Sequence, residues 1–316
     1  MPIRLILRAI GYRWCSFLVS LVFSMEILSG IADVDRIITA YTGLATLAIV
    51  FFVLEQINPA QPNKKYLQSD NKVEIFYPLI QHLITNPLSL AATAYLTLMQ
   101  LDHILPHQIF SQEVAGLPYW AQVLVGLFVI DLALYIRHRF VHHFCWPYHA
   151  IHHSAKNLTW ITKLRLHPID AVVMGAINTL VLHVVGFDFE AIVTAQYFMT
   201  IWNYFVHTNI KLVFPSFLHY IIGSPHVHRW HHATEREAIN KNFTIMFCFI
   251  DVIFGTFYAP RDRLPKRLGV VDDGRVQLQD NVLSHLTYPF QKNYLFLKDA
   301  WAQSTENKLQ KPSVRD

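Results

Sequence analysis

Charge is scarce in this chain. Only 15% of its 316 residues are Asp, Glu, Lys or Arg, against 53% apolar side chains, and the mean hydropathy is +0.28. That poverty excludes an ordinary soluble domain and points to a membrane protein. The excess of four basic charges is spread along the chain rather than gathered into a patch, which excludes a nucleic-acid footprint. Cysteine is nearly absent. Cys15, Cys145 and Cys248 lie far apart and form no C-x-x-C, so a disulfide framework is excluded and reduced thiols are expected. Three other patterns are missing altogether. Without E-x-x-H there is no carboxylate-rich di-iron bundle, without H-E-x-x-H no zinc-protease helix, and without G-x-G-x-x-G no dinucleotide site of its own. Fixed-period repeats and low-complexity tracts are absent too.

Long apolar runs are what the chain does have. A membrane span needs about 20 mainly apolar residues. Residues 14–32, broken only by Glu26, and the uncharged 37–54 qualify. Residues 75–101 are uncharged but hold Pro78 and Pro87, so they read as one kinked span or as two pieces joined at Pro87. Residues 118–136 follow, with Asp131 inside, and 171–187 and 191–206 form a hairpin around "DFE". A last apolar block, 243–258, contains Asp251 and the turn-like "FGTF" and is expected to lie at the interface rather than cross. Near the N-terminus, no small-residue cleavage site follows Arg4, Arg8 and Arg13, so a retained signal-anchor helix is expected.

Basic residues alternate from loop to loop. Three precede the first span, Arg36 alone follows it, Lys64, Lys65 and Lys72 come next, and none lies in 102–117. Arg137, Arg139, Lys156, Lys163 and Arg165 follow the fourth span. This positive-inside pattern predicts four spans plus a hairpin, with both termini and the histidines of 138–232 on the cytoplasmic side. The polar stretch from Arg261 onward is expected to be a cytosolic cap or tail. The divisions expected are N-terminal transmembrane helices over 1–117, the chemical core over 118–260 and the polar region over 261–316.

Histidine is the residue in excess. Fourteen of the 18 fall between His138 and His232, where an even spread would place about five. His138 and His142 stand four apart; His149, His152 and His153 stand at i, i+3 and i+4; His228, His231 and His232 repeat that spacing. On a helix such residues share a face, so each group aims two or three ring nitrogens at one point. One H-x-x-x-H arises by accident on surface helices, and lone histidines such as His82, His183 or His285 read as ordinary core or surface residues. Two H-x-x-H-H boxes on one side of a membrane read as metal ligands. Eight box histidines exceed the four of a structural zinc and suit two ions with about four imidazoles each. Imidazole suits iron, zinc and copper alike, so ligand type leaves the metal open. The fold class expected is all-α, a multi-pass transmembrane helical bundle with a cytosolic histidine-rich di-metal cap.

The stretch "DLALYIRHRFVHHFCWPYHAIHHSAKNLTWITKLRLHP", with "HTNI", "SPHVHRWHH" and "NKNFTIMFCFIDVIFGTF" after it, resembles the sterol desaturase and fatty acid hydroxylase superfamily over roughly residues 118–260. It looks closer to the sterol-desaturase-like and alkylglycerol-monooxygenase-like branch than to the acyl-chain 2-hydroxylases. The resemblance implies an integral-membrane oxidoreductase with two iron ions and dioxygen as co-substrate. It implies hydroxylation or desaturation of a sterol, fatty acyl or alkyl-ether lipid taken from the bilayer. As metal ligands it implies His138, His142, His149, His152, His153, His228, His231 and His232, with His207 as a ninth. Asn203 stands where some members have a further histidine, and could reach a metal directly or through a water. His143 and His226 are secondary. His167, in "RLHP", is a candidate to support a ligand from behind. Asp131, seven residues before His138 and so on the same helical face, is another, by accepting a ring N–H; its alternative is a capped or paired acid within the membrane.

No haem-binding sequence is fused to the chain, so electrons are expected from a separate external donor. A histidine-rich membrane metal-binding or transport protein is the alternative, but transporters place such ligands near the bilayer midplane in broken helices. The C-terminal "KPSVRD" carries no retrieval signal, which favours a bacterial inner membrane over the endoplasmic reticulum.

Overall fold

The computed structural model describes residues 34–62, 73–85, 87–89, 91, 110–271 and 274–309. Among these residues the chain is helical and contains no β-strand. The main elements are α1 (Val34–Ile57), α2 (Tyr119–Phe144), α3 (Trp146–His153), α4 (Pro168–Val185), α5 (Phe189–Val206), α6 (Pro225–His231), α7 (Phe249–Ile253) and α8 (Val282–Leu309). Four of the apolar runs read from sequence coincide with α1, α2, α4 and α5, and the turn between α4 and α5 uses Gly186 at φ 97°. The run 14–32 lies outside the described residues, as do 12 of the 27 residues of 75–101, among them 92–101. The described start of the latter is a 3-10 turn, Val73–Ile75, one α-turn, Tyr77–Ile80, and a wider π-turn, Gln81–Thr85.

The 26-residue α2 is the one described helix long and apolar enough to cross a membrane. Its outward face is itself apolar, with Leu124, Val125, Phe128, Ile136 and Phe140 exposed. Its inward face packs Leu127, Ile130 and Leu134 against Ala191, Ala195 and Met199 of α5. A Cβ at Gly126 would stand 3.3 Å from the Ala195 Cβ, so small residues let these two helices touch. In lipid this close packing holds helices together, because hydrocarbon gives no hydrophobic drive for their association. The spacing of Asp131, His138 and His142 puts all three on that same buried face.

A second core joins Phe51 of α1 and Ile151 of α3 to Trp160 and Ile161 of the 3-10 turn Trp160–Leu164. Buried Glu55 ties the two halves together, since its Oε1 accepts the backbone N–H groups of both Trp160 and Asn209. The apolar block 243–258 forms only the five-residue α7 and loops, because two buried carboxylates hold its backbone. Asp131 accepts the N–H groups of Ile245, Met246 and Phe247, and Asp251 those of Phe243 and Thr244. Gly223 abuts this segment: a Cβ there would lie 2.1 Å from the Ile245 carbonyl oxygen. In the C-terminal region, expected as a cap or tail, residues 282–309 form the 28-residue α8. It lies against α3, with Phe290 edge-on to Tyr148 and His285 bonded to Tyr77.

Candidate metal centre

The two boxes fold as the last turns of short helices, with His232 as the C-terminal cap of α6. Pro225 opens α6 behind Ser224, whose hydroxyl accepts the Val227 N–H; a proline also stands in the first turn of α3. The nine histidines then gather into two adjoining clusters, one of His138, His142, His149, His153 and His231, the other of His152, His207, His228 and His232. Within each cluster the candidate ligand atoms lie within 4.8 Å of one another, and all nine residues are buried. Each box is therefore divided rather than aimed at one point. The i and i+4 rings of α3 go to the first cluster and its i+3 ring to the second; in α6 the division is reversed. At 100° per residue, i and i+4 lie 40° apart but i+3 and i+4 lie 100° apart, so a box of this spacing reaches two centres.

Outer hydrogen bonds settle which nitrogen carries the proton. The Nδ1–H of His138 donates to the Phe243 carbonyl at 2.8 Å, that of His231 to Lys241 O at 2.8 Å and that of His207 to Asn203 O at 2.6 Å. His149 Nδ1 donates to the Asp170 carboxylate at 2.8 Å, and Asp170 is held in turn by Arg137. His142 Nδ1 lies 3.3 Å from the Asn240 amide oxygen. These partners only accept, so the Nε2 atoms present lone pairs. Yet His138 Nε2 and His149 Nε2 stand 2.9 Å apart, and His207 Nε2 lies 3.0 Å from His152 Nε2 and 2.9 Å from His228 Nε2. Between His138 and His149, whose protons are both held on Nδ1, lone pair faces lone pair and needs a cation; the His207 lone pair is likewise turned toward two rings at once. Two nitrogens bound at right angles to one ion at about 2.1 Å would be about 3.0 Å apart. The nine residues thus fit a pair of metal ions.

A shared proton would be the other way to join such rings, but the surroundings oppose it. Burial, and then neighbouring rings, push His149, His152, His153, His228 and His232 well below the ordinary imidazole range. Burial takes His207 down to about 3 and His231 to about 4. Neutral imidazoles are what metal ligation requires. The Nε2 atoms of His142, His153 and His231 are buried without a hydrogen-bond partner.

Other expected residues divide. Of the two readings of Asp131 the structure fits the capped acid and not the ring acceptor, since its two oxygens are taken up by three backbone N–H groups and meet no ring. It steadies instead the segment whose Phe243 carbonyl holds His138. His167 stands apart from both clusters, with Nε2 3.3 Å from Leu286 O and its ring packed on Tyr148 and Phe290. His143 is exposed and bonds Arg139 O, and His226 bonds Pro260 O, so neither joins a cluster. Asn203 lines the same cavity as His152, His207 and His228, and its Oδ1 is buried without a partner. Sequence reading missed Asp170, two residues past "HP", and the Asn240–Asn242 turn. Asn240 and Asn242 adopt left-handed backbone, at φ 59° and 56°, and so turn Lys241 O toward His231. The Asn-x-Asn spacing was the available signal.

Two cavities reach the centre. One touches both clusters through His138, His149, His152, His207 and His228 and is walled by Leu134, Leu166, Met174 and Ile245. The other, of about 250 Å³, touches only the five-histidine cluster, through His142, His153 and His231, with Trp146 beside it.

Comparison with known proteins points the same way. Residues 123–256 match the fatty acid hydroxylase family model, a segment that contains all nine clustered histidines. This segment is thus similar to the fatty acid hydroxylase domain, and it falls within the region, roughly residues 118–260, where the sequence itself resembles the sterol desaturase and fatty acid hydroxylase superfamily. Among individual relatives, an ornithine lipid hydroxylase of Rhizobium tropici is 27% identical over 208 residues, 65% of this chain and 59% of that protein. Alkylglycerol monooxygenase of Caenorhabditis elegans is 29% identical over 147 residues, 46% of this chain and 28% of that one. A putative methylsterol monooxygenase of Dictyostelium discoideum is 28% identical over 154 residues, 45% of this chain and 53% of that one. The chain thus spans between about a quarter and three fifths of these relatives' lengths. No solved structure gives a significant match.

Proposed function

We propose that this protein is a membrane-bound di-iron oxidoreductase that uses dioxygen to hydroxylate or desaturate a lipid. The observation that carries the reading is the gathering of nine buried histidines into two adjoining clusters, with the Nε2 lone pairs of His138 and His149 face to face. Lipid hydroxylases and monooxygenases among the relatives support both the lipid and the oxidation. Bound there, two irons would supply activation of dioxygen for attack on an unactivated C–H bond. His138, His142, His149, His153 and His231 would hold one ion; His152, His207, His228 and His232 would hold the other, with Asn203 beside it.

The rest is the work of the chain's own side chains. Asp170, Phe243 O, Lys241 O and Asn203 O keep four ring protons on Nδ1 and so keep the Nε2 atoms basic and aimed. Leu134, Leu166, Met174 and Ile245 give the cavity shared by both clusters an apolar wall, the lining that a lipid carbon brought to the centre would need. The 250 Å³ cavity at His142, His153 and His231 gives the five-histidine cluster its own route outward, the side on which we place a separate electron donor. Apolar outward faces on α1, α2 and α5, with Ile49, Val53, Phe128, Val193 and Phe198 exposed, support a multi-pass bundle. The alternation of basic loops supports the cytoplasmic side of a bacterial inner membrane for the histidines.

Metal content tests this. Protein purified in detergent with iron supplied should hold two irons per chain, and His152→Ala should lose at least one. A lipid screen under labelled dioxygen would then place one labelled oxygen atom in a hydroxylated product. One metal or none in the wild type, or no change in the variant, would return the chain to the metal-transport class.

A further inference from the structure

The cavity shared by the two clusters holds a cation that the metal reading leaves unused. Lys163 stands in the 3-10 turn Trp160–Leu164 and lines that cavity beside Asn203 and His207, among Leu134, Leu166 and Met174. Its ammonium rests over the Tyr204 ring, 4.8 Å from the centroid. Among the described residues, the acids bonded to this turn or to the cavity's lining are already engaged. Asp170 is paired with Arg137 and His149, Glu55 accepts two backbone N–H groups, and Glu74 accepts the Thr162 hydroxyl. Among the described residues no carboxylate forms an ion pair with Lys163, and Arg137, the other cation lining the cavity, has its partner in Asp170.

The turn is also fixed in place. Thr159 and Thr162 cap it reciprocally, and Glu74 grips it from outside, so Lys163 projects from a braced backbone. Burial lowers its pKa to about 8, which still leaves the ammonium charged at neutral pH. An unmatched charge in apolar surroundings costs free energy that a counter-charge would return, and the cavity is where one could arrive.

We propose that Lys163 binds an anionic group, a carboxylate or a phosphate, on an amphiphile that enters the cavity between the clusters. The substrate is then an anionic lipid whose reacting carbon lies close to its charged end rather than far along an acyl chain. This deepens the oxygenase reading and rests on it for the word substrate, while the binding step itself needs no metal.

Equilibrium binding to the full chain in an uncharged detergent tests it. N-dodecanoylglycine, its methyl ester and dodecyl phosphate are titrated calorimetrically into wild type, Lys163→Met and Lys163→Arg. A charge-assisted contact predicts that the acid or the phosphate binds at least about tenfold tighter than the ester. Lys163→Met should bring all three within about twofold of one another, and Lys163→Arg should keep the preference. Whichever anion binds tighter identifies the group. Equal binding of acid and ester to wild type, or a preference that survives Lys163→Met, overturns the proposal. The wild-type comparison stands even if a variant fails to fold. Iron counted in the same samples separates the two readings. Charge preference without iron would sink the oxygenase and leave Lys163 its role; two irons without charge preference would do the reverse.

Discussion

The five-histidine and four-histidine clusters adjoin, yet they are built differently. Four of the five rings in the first have an outer partner, at Phe243 O, Asn240, Asp170 and Lys241 O. In the second, among the described residues, the one outer bond of full hydrogen-bond geometry is that of His207 to Asn203 O, and the Nδ1 atoms of His228 and His232 are buried without a partner. Braced rings hold a metal at a fixed place; unbraced rings can follow a ligand that changes. The cavity that Asn203 and Lys163 line takes three rings from the second cluster and two, His138 and His149, from the first, so the proposed substrate space is bordered by both the adaptable and the braced half of the centre.

Acid breaks both halves and has the largest effect. His207 and His231 are neutral when folded, at about 3 and about 4, and take up a proton near pH 6.5 when unfolded. Their contribution is complete above pH 6.5 and falls as the pH drops toward 4, by about 1.4 kcal/mol per pH unit for each ring. Melting temperatures of chelator-treated protein between pH 7 and 4.5 should decline steeply; a flat profile would mean that the rings are open to water. His207→Ala breaks only the unbraced half. It should lower metal content from two toward one per chain and product formation by at least about 100-fold, more than loss of an outer partner costs. If both ions leave together, the halves are one cooperative unit.

Asp170→Asn tests bracing itself, because it keeps every ligand and removes only the carboxylate behind His149. Affinity at the five-histidine site should fall by about 10- to 100-fold, read by competition with a calibrated chelator, while the other site keeps its own. An equal drop at both sites would dissolve the distinction. Asn203→His has the smallest effect and narrows the contrast, since a fifth ring should tighten the weaker site by less than about tenfold. Unchanged affinity would put Asn203 out of metal reach.

The histidine boxes were plain in the sequence because helical spacing is local. Their sharing between two centres follows from the same arithmetic but shows only when α3 and α6 face each other. The outer partners were mostly hidden. Phe243 O, Lys241 O and Asn203 O are backbone atoms, which no residue identity betrays, and Asp170 lies 21 positions from the ring it holds. Asp131 stayed open between two readings because helical periodicity fixes its face but not its partner. The packing of α8 on α3 was likewise illegible, since a polar helix with one half-buried face reads like a solvated tail.

The facing lone pairs also bear on how long the molecule lasts in a cell. With the proposed ions in place they become bonds, and binding to the folded form alone adds stability that grows with metal supply. Newly made chains in a metal-starved cell carry the repulsion uncancelled, spend more time open, and fall to proteases sooner. Abundance of the protein would then follow iron supply with no dedicated regulator.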